Sequence, residues 1–419
     1  MRAASPSVLD REEGALRNWL VPVGGALGLI VGNGPVSVFA FGVFIGPLER
    51  EMGWTRASLG MATALCALLS ALTLPFIGLL MDKFGVRRPL AIAICLFAVN
   101  VALIGQGRTL PAFIALTALT GMTGAAQSPI GYVKSVASYF DRSRGLAIGI
   151  AMSGIGIGTA LVPQYVQWLI GSFGWRIGYA GLGLAIAAVA LPAVLFLLRE
   201  PVSQRTAGVV GGVVPGVGLG EAVRMRSFWF IAVAVLLVSV AVNAALVHVV
   251  PLLVDRGWTA SSATRVLVAA GAAGVIGRLI AGYLMDKVFA PYVASSFFAL
   301  AICGLYLLAA DVNVVLGMLA IGLAAGAEVD MIGFFISRYF GLKRFGQLYG
   351  VLFAIFTVGA GLGPLLLGTV HTRLHSYDMG FMACGIGLLI ASLGILGVGS
   401  YRHSPGVPSG AGAERLRNV

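Results

Sequence analysis

The 419 residues are 58% hydrophobic and only 11% charged, with a mean hydropathy of +0.96. A water-soluble domain carries about 25% charged residues, so a soluble globular protein, a disordered chain and a disulfide scaffold are all excluded. The formal charge of +12 does not call for nucleic acid, because lysines and arginines gathered in the cytoplasmic loops of a membrane protein give the same excess.

A membrane-crossing helix needs about 20 apolar residues. The polar stretch 1–18 shows no cleavage pattern, and the apolar run after it is too long for a signal peptide, so no cleaved leader is expected. Apolar runs then fall at 19–46, 55–81, 88–107, 110–138, 145–171 and 176–198. A Gly/Val/Pro-rich break at 199–225 reads as a linker. A second set follows at 226–254, 260–285, 291–310, 313–338, 345–371 and 377–401, before a tail at 402–419. The expected fold is an all-α polytopic membrane protein with twelve transmembrane helices in two six-helix, pseudo-symmetric bundles, 19–198 and 226–401. With both termini in the cytoplasm, 19 of the 28 lysines and arginines fall on the inner side. The inverted orientation reverses that bias.

The two halves repeat. LEREMGWTRASLG has its counterpart in LLVDRGWTASSA, so Trp54 matches Trp258, and GLLMDKFG matches GYLMDKVF, so Asp82 matches Asp286; both offsets are 204 residues. SYFDRSRGLAIG faces RYFGLKRFGQLYG at an offset of about 200. Duplicated six-helix units point to alternating access around a site at the repeat interface, near mid-membrane.

The stretch GLLMDKFGVRR resembles the glycine–acid–basic–glycine–basic loop signature of the major facilitator superfamily, carried here by Gly78, Asp82, Lys83, Gly85, Arg87 and Arg88. FGVFIGPLEREMGWTR, YFDRSRGLAIGIAMSG and RYFGLKRFGQLYG are similar to its monocarboxylate porter and oxalate:formate antiporter branch. The resemblance implies a gating role for Asp82, Lys83, Arg87, Arg88 and Asp286. Asp82 would accept from a neighbouring helix N-terminus or an arginine, latching the halves on the cytoplasmic side.

Arg278 lies eight residues before Asp286, about 12 Å from the helix end at 1.5 Å per residue. An arginine at that depth costs about 2.5–3.5 kcal/mol on insertion scales, and its planar fork suits a carboxylate. The resemblance implies the same role, since both families place a substrate-binding arginine on this helix. Two departures stand out. Gly274 occupies the position where animal monocarboxylate carriers have an acid, and Gly350 to Gly363 lacks the lysine of the oxalate carriers. One cation favours a monoanion over a dianion.

Glu328 and Asp330 are the proton-coupling candidates, at the depth of Arg278 but pointing about 200° apart on their helix, so one is expected to pair with the arginine. Asn33, Gln127, Tyr132 and Asn243 are candidate cavity-lining residues, His248 reads as a packing residue, and Lys134 is expected to snorkel to the membrane boundary. The run Gly154–Gly158, with Gly359, Gly361 and Gly363, is expected to pack the fifth and eleventh helices against the other half.

No zinc-protease, nucleophile-elbow or phosphate-loop motif is present, and Cys66, Cys95, Cys303 and Cys384 have no ligand spacing, so neither enzyme activity nor a cofactor is expected. The chain reads as a monomeric, multi-pass protein of the inner (cytoplasmic) membrane. Its partners are the bilayer, a small carboxylate and protons, with no nucleic acid. A drug or siderophore exporter of the same fold, or an anion exchanger without proton coupling, is the alternative. On this topology, a cysteine at Ser203 or Ser404 labels only from the cytoplasm and one at Ser261 only from outside. Labelling on the opposite sides would refute the helix count or the orientation.

Overall fold

Hydrocarbon offers no partner to a free peptide group, so a chain this apolar must satisfy its backbone within helices. The computed structural model describes residues 8–198, 216–374 and 376–402 and contains twelve helical spans long and apolar enough to cross a membrane. In the N-terminal half these are α1 (Asn18–Met52), α2 (Ser58–Phe84), α3 (Arg87–Ile104), α4 (Leu110–Tyr139), α5 (Arg144–Phe173) and α6 (Trp175–Leu197). The C-terminal half has α7 (Arg226–Asp255), α8 (Ser261–Lys287), α9 (Ala290–Ala309), α10 (Val314–Phe340), α11 (Phe345–Leu374) and α12 (Asp378–Leu396). Leu72, Phe76, Ile92, Leu184, Leu365 and Leu393 stand exposed on the outer faces, an arrangement suited to lipid. Most of the linker, 199–215, lies outside the described residues, as do Ser203 and Ser404. Its end is tied down: the Val217 N–H donates to the Phe340 carbonyl at 2.9 Å.

The first helix runs past residue 46 to Met52 and stops at Gly53, whose φ of 68° is left-handed. Gly257 has a φ of 85° at the matching place. The Thr55 hydroxyl accepts the Ser58 N–H at 3.3 Å, and Thr259 accepts that of Ser262 at 3.2 Å. The repeated Gly-Trp-Thr is thus a chain reversal, a glycine that tolerates positive φ followed by the N-cap of each half's second helix.

The halves are joined at the end where α1 begins and α12 finishes. Asp82, at the foot of α2, accepts the N–H groups of Gly346 and Gln347 at 2.9 and 2.8 Å, at the start of α11. Asp286, at the foot of α8, accepts those of Gly145 and Leu146 at 2.8 and 2.9 Å, at the start of α5. Each carboxylate caps a helix of the other half, where free N–H groups and the helix dipole favour an anion. Glycine makes the approach possible. A Cβ on Gly78 would overlap the Gly346 carbonyl, and one on Gly282 would overlap that of Gly145.

Lys134 does not snorkel. Its ammonium lies 2.7 Å from Asp82, which is 1% exposed, and donates to the Met81 carbonyl at 2.8 Å. A carboxylate that deep needs a countercharge more than the lysine needs water. Arg338 adds an ion pair between the halves beside the two caps, to Asp141 Oδ1 at 2.7 Å and to its carbonyl at 2.6 Å. At the opposite end the described polar contacts stay within one half: Glu51 with Trp175 and Arg176, Arg256 with Asp311, and Asp255 with His371.

The glycine runs behave differently from expectation. Of the α5 run only Gly156 faces the other half, at Val275, while Gly154 and Gly158 receive α1. Gly359 and Gly363 of α11 receive α7 of their own half, and a Cβ on Gly361 would meet nothing within 4 Å. Each bundle must close on itself before it can meet its twin, and most small residues serve that inner contact.

Asp82→Asn keeps the shape but removes the charge facing Lys134 and the α11 N-terminus. An ionised acceptor adds about 1–1.5 kcal/mol to a hydrogen bond, so the closed end should loosen about tenfold. A cysteine replacing buried Leu74 should then be alkylated about ten times faster than in the otherwise unmodified protein; an unchanged rate would show that Asp82 does not hold the halves together.

Candidate functional site

Arg278 lies on α8, eight residues before Asp286 and about 12 Å from that helix end. Glycines on two neighbours let α8 sit close: a Cβ on Gly149 of α5 would fall 2.9 Å from the Arg278 carbonyl, and one on Gly326 of α10 would fall 3.0 Å from its nitrogen. The guanidinium reaches both helices. Nη1 donates to the Met152 carbonyl of α5 at 3.1 Å and to Asp330 Oδ1 of α10 at 3.3 Å. One cation, 11% exposed, therefore holds one acceptor from each half.

Around that cation the polar demand is not met. α10 is the most buried span, and Asp330 Oδ2 and Glu328 Oε2, both on it, are buried without a partner among the described residues. Glu328 interacts electrostatically with Arg278 but forms no ion pair with it. Nε and Nη2 of the guanidinium have no hydrogen bond among the described residues, so one edge of the fork is uncommitted. That edge matches the two oxygens of a carboxylate. Of the two acids on this helix, the structure pairs Asp330 with the arginine.

On the N-terminal half, α1 and α4 are both interrupted near their middles. α1 breaks at Val31–Gly32 and resumes as a π-helical stretch, Pro35–Ala40; α4 passes through a 3-10 turn, Ala125–Gln127, before Pro129. Each proline lacks the N–H that a continuous helix would use. The two breaks face each other, since a Cβ on Gly124 would fall 2.7 Å from Asn33 Oδ1 and one on Gly32 would fall 3.0 Å from the Gln127 carbonyl. Asn33 accepts from the Ser37 hydroxyl at 2.7 Å and donates to Ser70 at 3.4 Å. Tyr132, whose ring lies against Gly28 of α1, donates to Gln127 Oε1, and both are fully buried.

Asn243, on α7, donates to the Ser239 carbonyl at 2.9 Å and stays half-buried. His248 meets the Pro364 carbonyl at 2.9 Å, within the C-terminal half. Arg87 donates to the Leu195 carbonyl in a π-helical turn of α6, Lys83 lies over the Phe84 ring, and Arg88 is exposed. So Asp82 and Asp286 reach across the halves, whereas the described contacts of Lys83 and Arg87 stay in the N-terminal one.

Sequence reasoning missed the Met152 carbonyl, a backbone atom with no signature. It also missed the Lys134–Asp82 and Arg338–Asp141 pairs. Their signal was present, since Asp82, Lys134 and Arg338 all lie within two turns of the same end of the bundle.

The model of the Major Facilitator Superfamily matches residues 26–340. Monocarboxylate transporter 13 of Bos taurus is 27% identical over 323 residues, covering 76% of this chain and 74% of its own length. Among solved structures, the E. coli fucose:proton symporter FucP superposes with a TM-score of 0.69 at 14% identity, over 92% of this chain and 99% of its own. The human organic anion transporter MFSD10 does so with a TM-score of 0.70 at 16% identity, over 90% of this chain and 99% of its own. These likenesses to solved structures carry the fold, and the family match carries the assignment: this chain belongs to the Major Facilitator Superfamily, a multi-pass membrane transporter rather than an enzyme.

Proposed function

We propose that this transporter moves a small organic anion, a monocarboxylate, across the cytoplasmic membrane by alternating access, together with a proton. The observation that carries this reading is the Arg278 guanidinium, shared between Met152 of one half and Asp330 of the other with one edge unused. The name of the bovine relative, a monocarboxylate transporter, supports the substrate class, and that of the fucose:proton symporter supports the coupling ion. With the basic residues inward, the joined end faces the cytoplasm and the site opens outward.

In the proposed cycle the substrate carboxylate takes the free Nε–Nη2 edge of Arg278 and competes with Asp330 for the cation. A carboxylate that loses its only cation in a low-dielectric site is stabilised by taking up a proton. Loading is then close to charge-neutral, one anion and one proton, and a neutral site can close and reopen at little electrostatic cost. Glu328, buried and with its Oε2 lacking a partner among the described residues, takes no part in the cycle and serves packing. Asn33 and Asn243 orient the rest of the substrate, while Gln127 and Tyr132, fully buried and bonded to each other, position the broken middle of α4 behind them. Asp82 and Asp286 hold the cytoplasmic end shut, and their release opens it.

Arg278→Gln should abolish uptake of labelled monocarboxylates in proteoliposomes and the thermal stabilisation they give. Arg278→Lys should lose at least about tenfold in affinity, because a point charge cannot replace the planar fork. Normal transport by Arg278→Gln would remove the arginine from the site. Asp330→Asn, fixed in the neutral form, should retain substrate exchange while losing accumulation driven by a pH gradient. Glu328→Gln should retain both. If Glu328→Gln uncouples and Asp330→Asn does not, the proton sits on Glu328; if neither uncouples, proton symport gives way to exchange.

A further inference from the structure

Tyr349 has no part in the account so far. It is the fifth residue of α11, its side chain is fully buried, and its hydroxyl has no hydrogen-bond partner among the described residues. The ring lies against α10, since a Cβ on Gly333 would come within 3.5 Å of Tyr349 Cε2. Gly333 is three residues past Asp330, and residues three apart share a helix face, so the ring and the carboxylate occupy one strip of α10. The hydroxyl interacts electrostatically with both Asp330 and Arg278. Two orphan atoms, a hydroxyl and the second oxygen of a carboxylate, therefore stand in one buried region, where each is costly while it stays unpaired. The same turn of α11 carries Gly346 and Gln347, whose N–H groups Asp82 accepts.

We infer that the Tyr349 hydroxyl is the donor to Asp330 Oδ2 through one bridging water. It thereby sets the pH at which Asp330 exchanges its proton and ties that exchange to the turn of α11 that Asp82 holds. The inference rests on the reading of Asp330 as the proton carrier.

The other charged and titratable groups around α10 are committed elsewhere. Lys134 of α4 is held by Asp82 and Met81, Tyr132 of α4 by Gln127, Arg144 of α5 by Phe140 and Asp141, and His248 of α7 by Pro364. Asp286 of α8 is held by the Gly145 and Leu146 N–H groups, Arg338 by Asp141, and Tyr339 by the Gly399 carbonyl. Tyr292 and Tyr306 of α9 are exposed. That leaves Arg278, Tyr349 and, on its own helix, Glu328 to act with Asp330. Tyr349 is a positioning residue, because it acts through Asp330.

The test needs no substrate. Spin labels at Arg142→Cys and Lys343→Cys, on opposite halves of the closed end, report its opening in the full-length protein in nanodiscs, with the native cysteines replaced. The parent should open with a single pH midpoint, and Asp330→Asn should lose that pH dependence. Tyr349→Phe removes a donor to the charged carboxylate and should move the midpoint up by about one pH unit, the worth of one such hydrogen bond. A ring-fluorinated tyrosine at the same position, a stronger donor of nearly the same volume, should move it down. Opposite shifts from the two replacements are the expected result. If Asp330→Asn is pH-independent but neither replacement at 349 moves the midpoint, the role of Tyr349 is overturned and the proton carrier stands. If Asp330→Asn titrates like the parent, the proton reading fails and takes this inference with it.

Discussion

A charge in hydrocarbon must find its partner inside the protein, and here many of the partners lie in the other half of the molecule. Asp82 and Asp286 each cap a helix across the interface, Arg338 reaches Asp141, and Arg278 reaches the Met152 carbonyl. Parting the halves at this end strands all of these groups at once unless something else pairs with them. Under the proposed alternating access, rocking of the two bundles is tied to the pairing state of a few buried ions. The glycines opposite each cap, Gly78 with Gly346 and Gly145 with Gly282, allow the backbones close enough for that coupling to be strong.

The duplication is symmetric in its closures and asymmetric in its chemistry. The caps occur twice, crossing in opposite directions between matched elements. The cation occurs once: 204 residues before Arg278 stands Leu74, buried where α2 meets α11. One bundle contributes the ion and its acids, the other the broken helices α1 and α4 with their amides and a hydroxyl. Under the proposed function, the anion binds at the C-terminal half and the remainder of the molecule is read at the N-terminal one.

Much of this was legible before any coordinates. Apolar run lengths give the spans, and the 204-residue offset gives the duplication. Asp82, Asp286 and Arg278 stand out because ionised groups in apolar runs need a reason. The sequence could not say which of Glu328 and Asp330 meets the arginine, since helix rotation depends on how α10 packs. Nor could it show that Lys134 turns inward, because the pull on it comes from a carboxylate 52 residues away. The glycine runs misled for a related reason: smallness permits a close neighbour without naming it, and Gly154 chose α1 where Gly156 met α8. Tyr349 went unremarked because an aromatic at the start of an apolar helix looks like packing until its hydroxyl is found without a partner.

The central claim is that substrate and Asp330 compete for one guanidinium. The direct measurement is the proton balance of binding. Purified protein in weak buffer is titrated with the monocarboxylate that stabilises it most, and released or absorbed protons are followed with a pH dye. The account predicts uptake of about one proton per bound anion from neutral solution, as the displaced carboxylate neutralises, and none in Asp330→Asn although the anion still binds. Binding by the parent protein with no change in bound protons would contradict it.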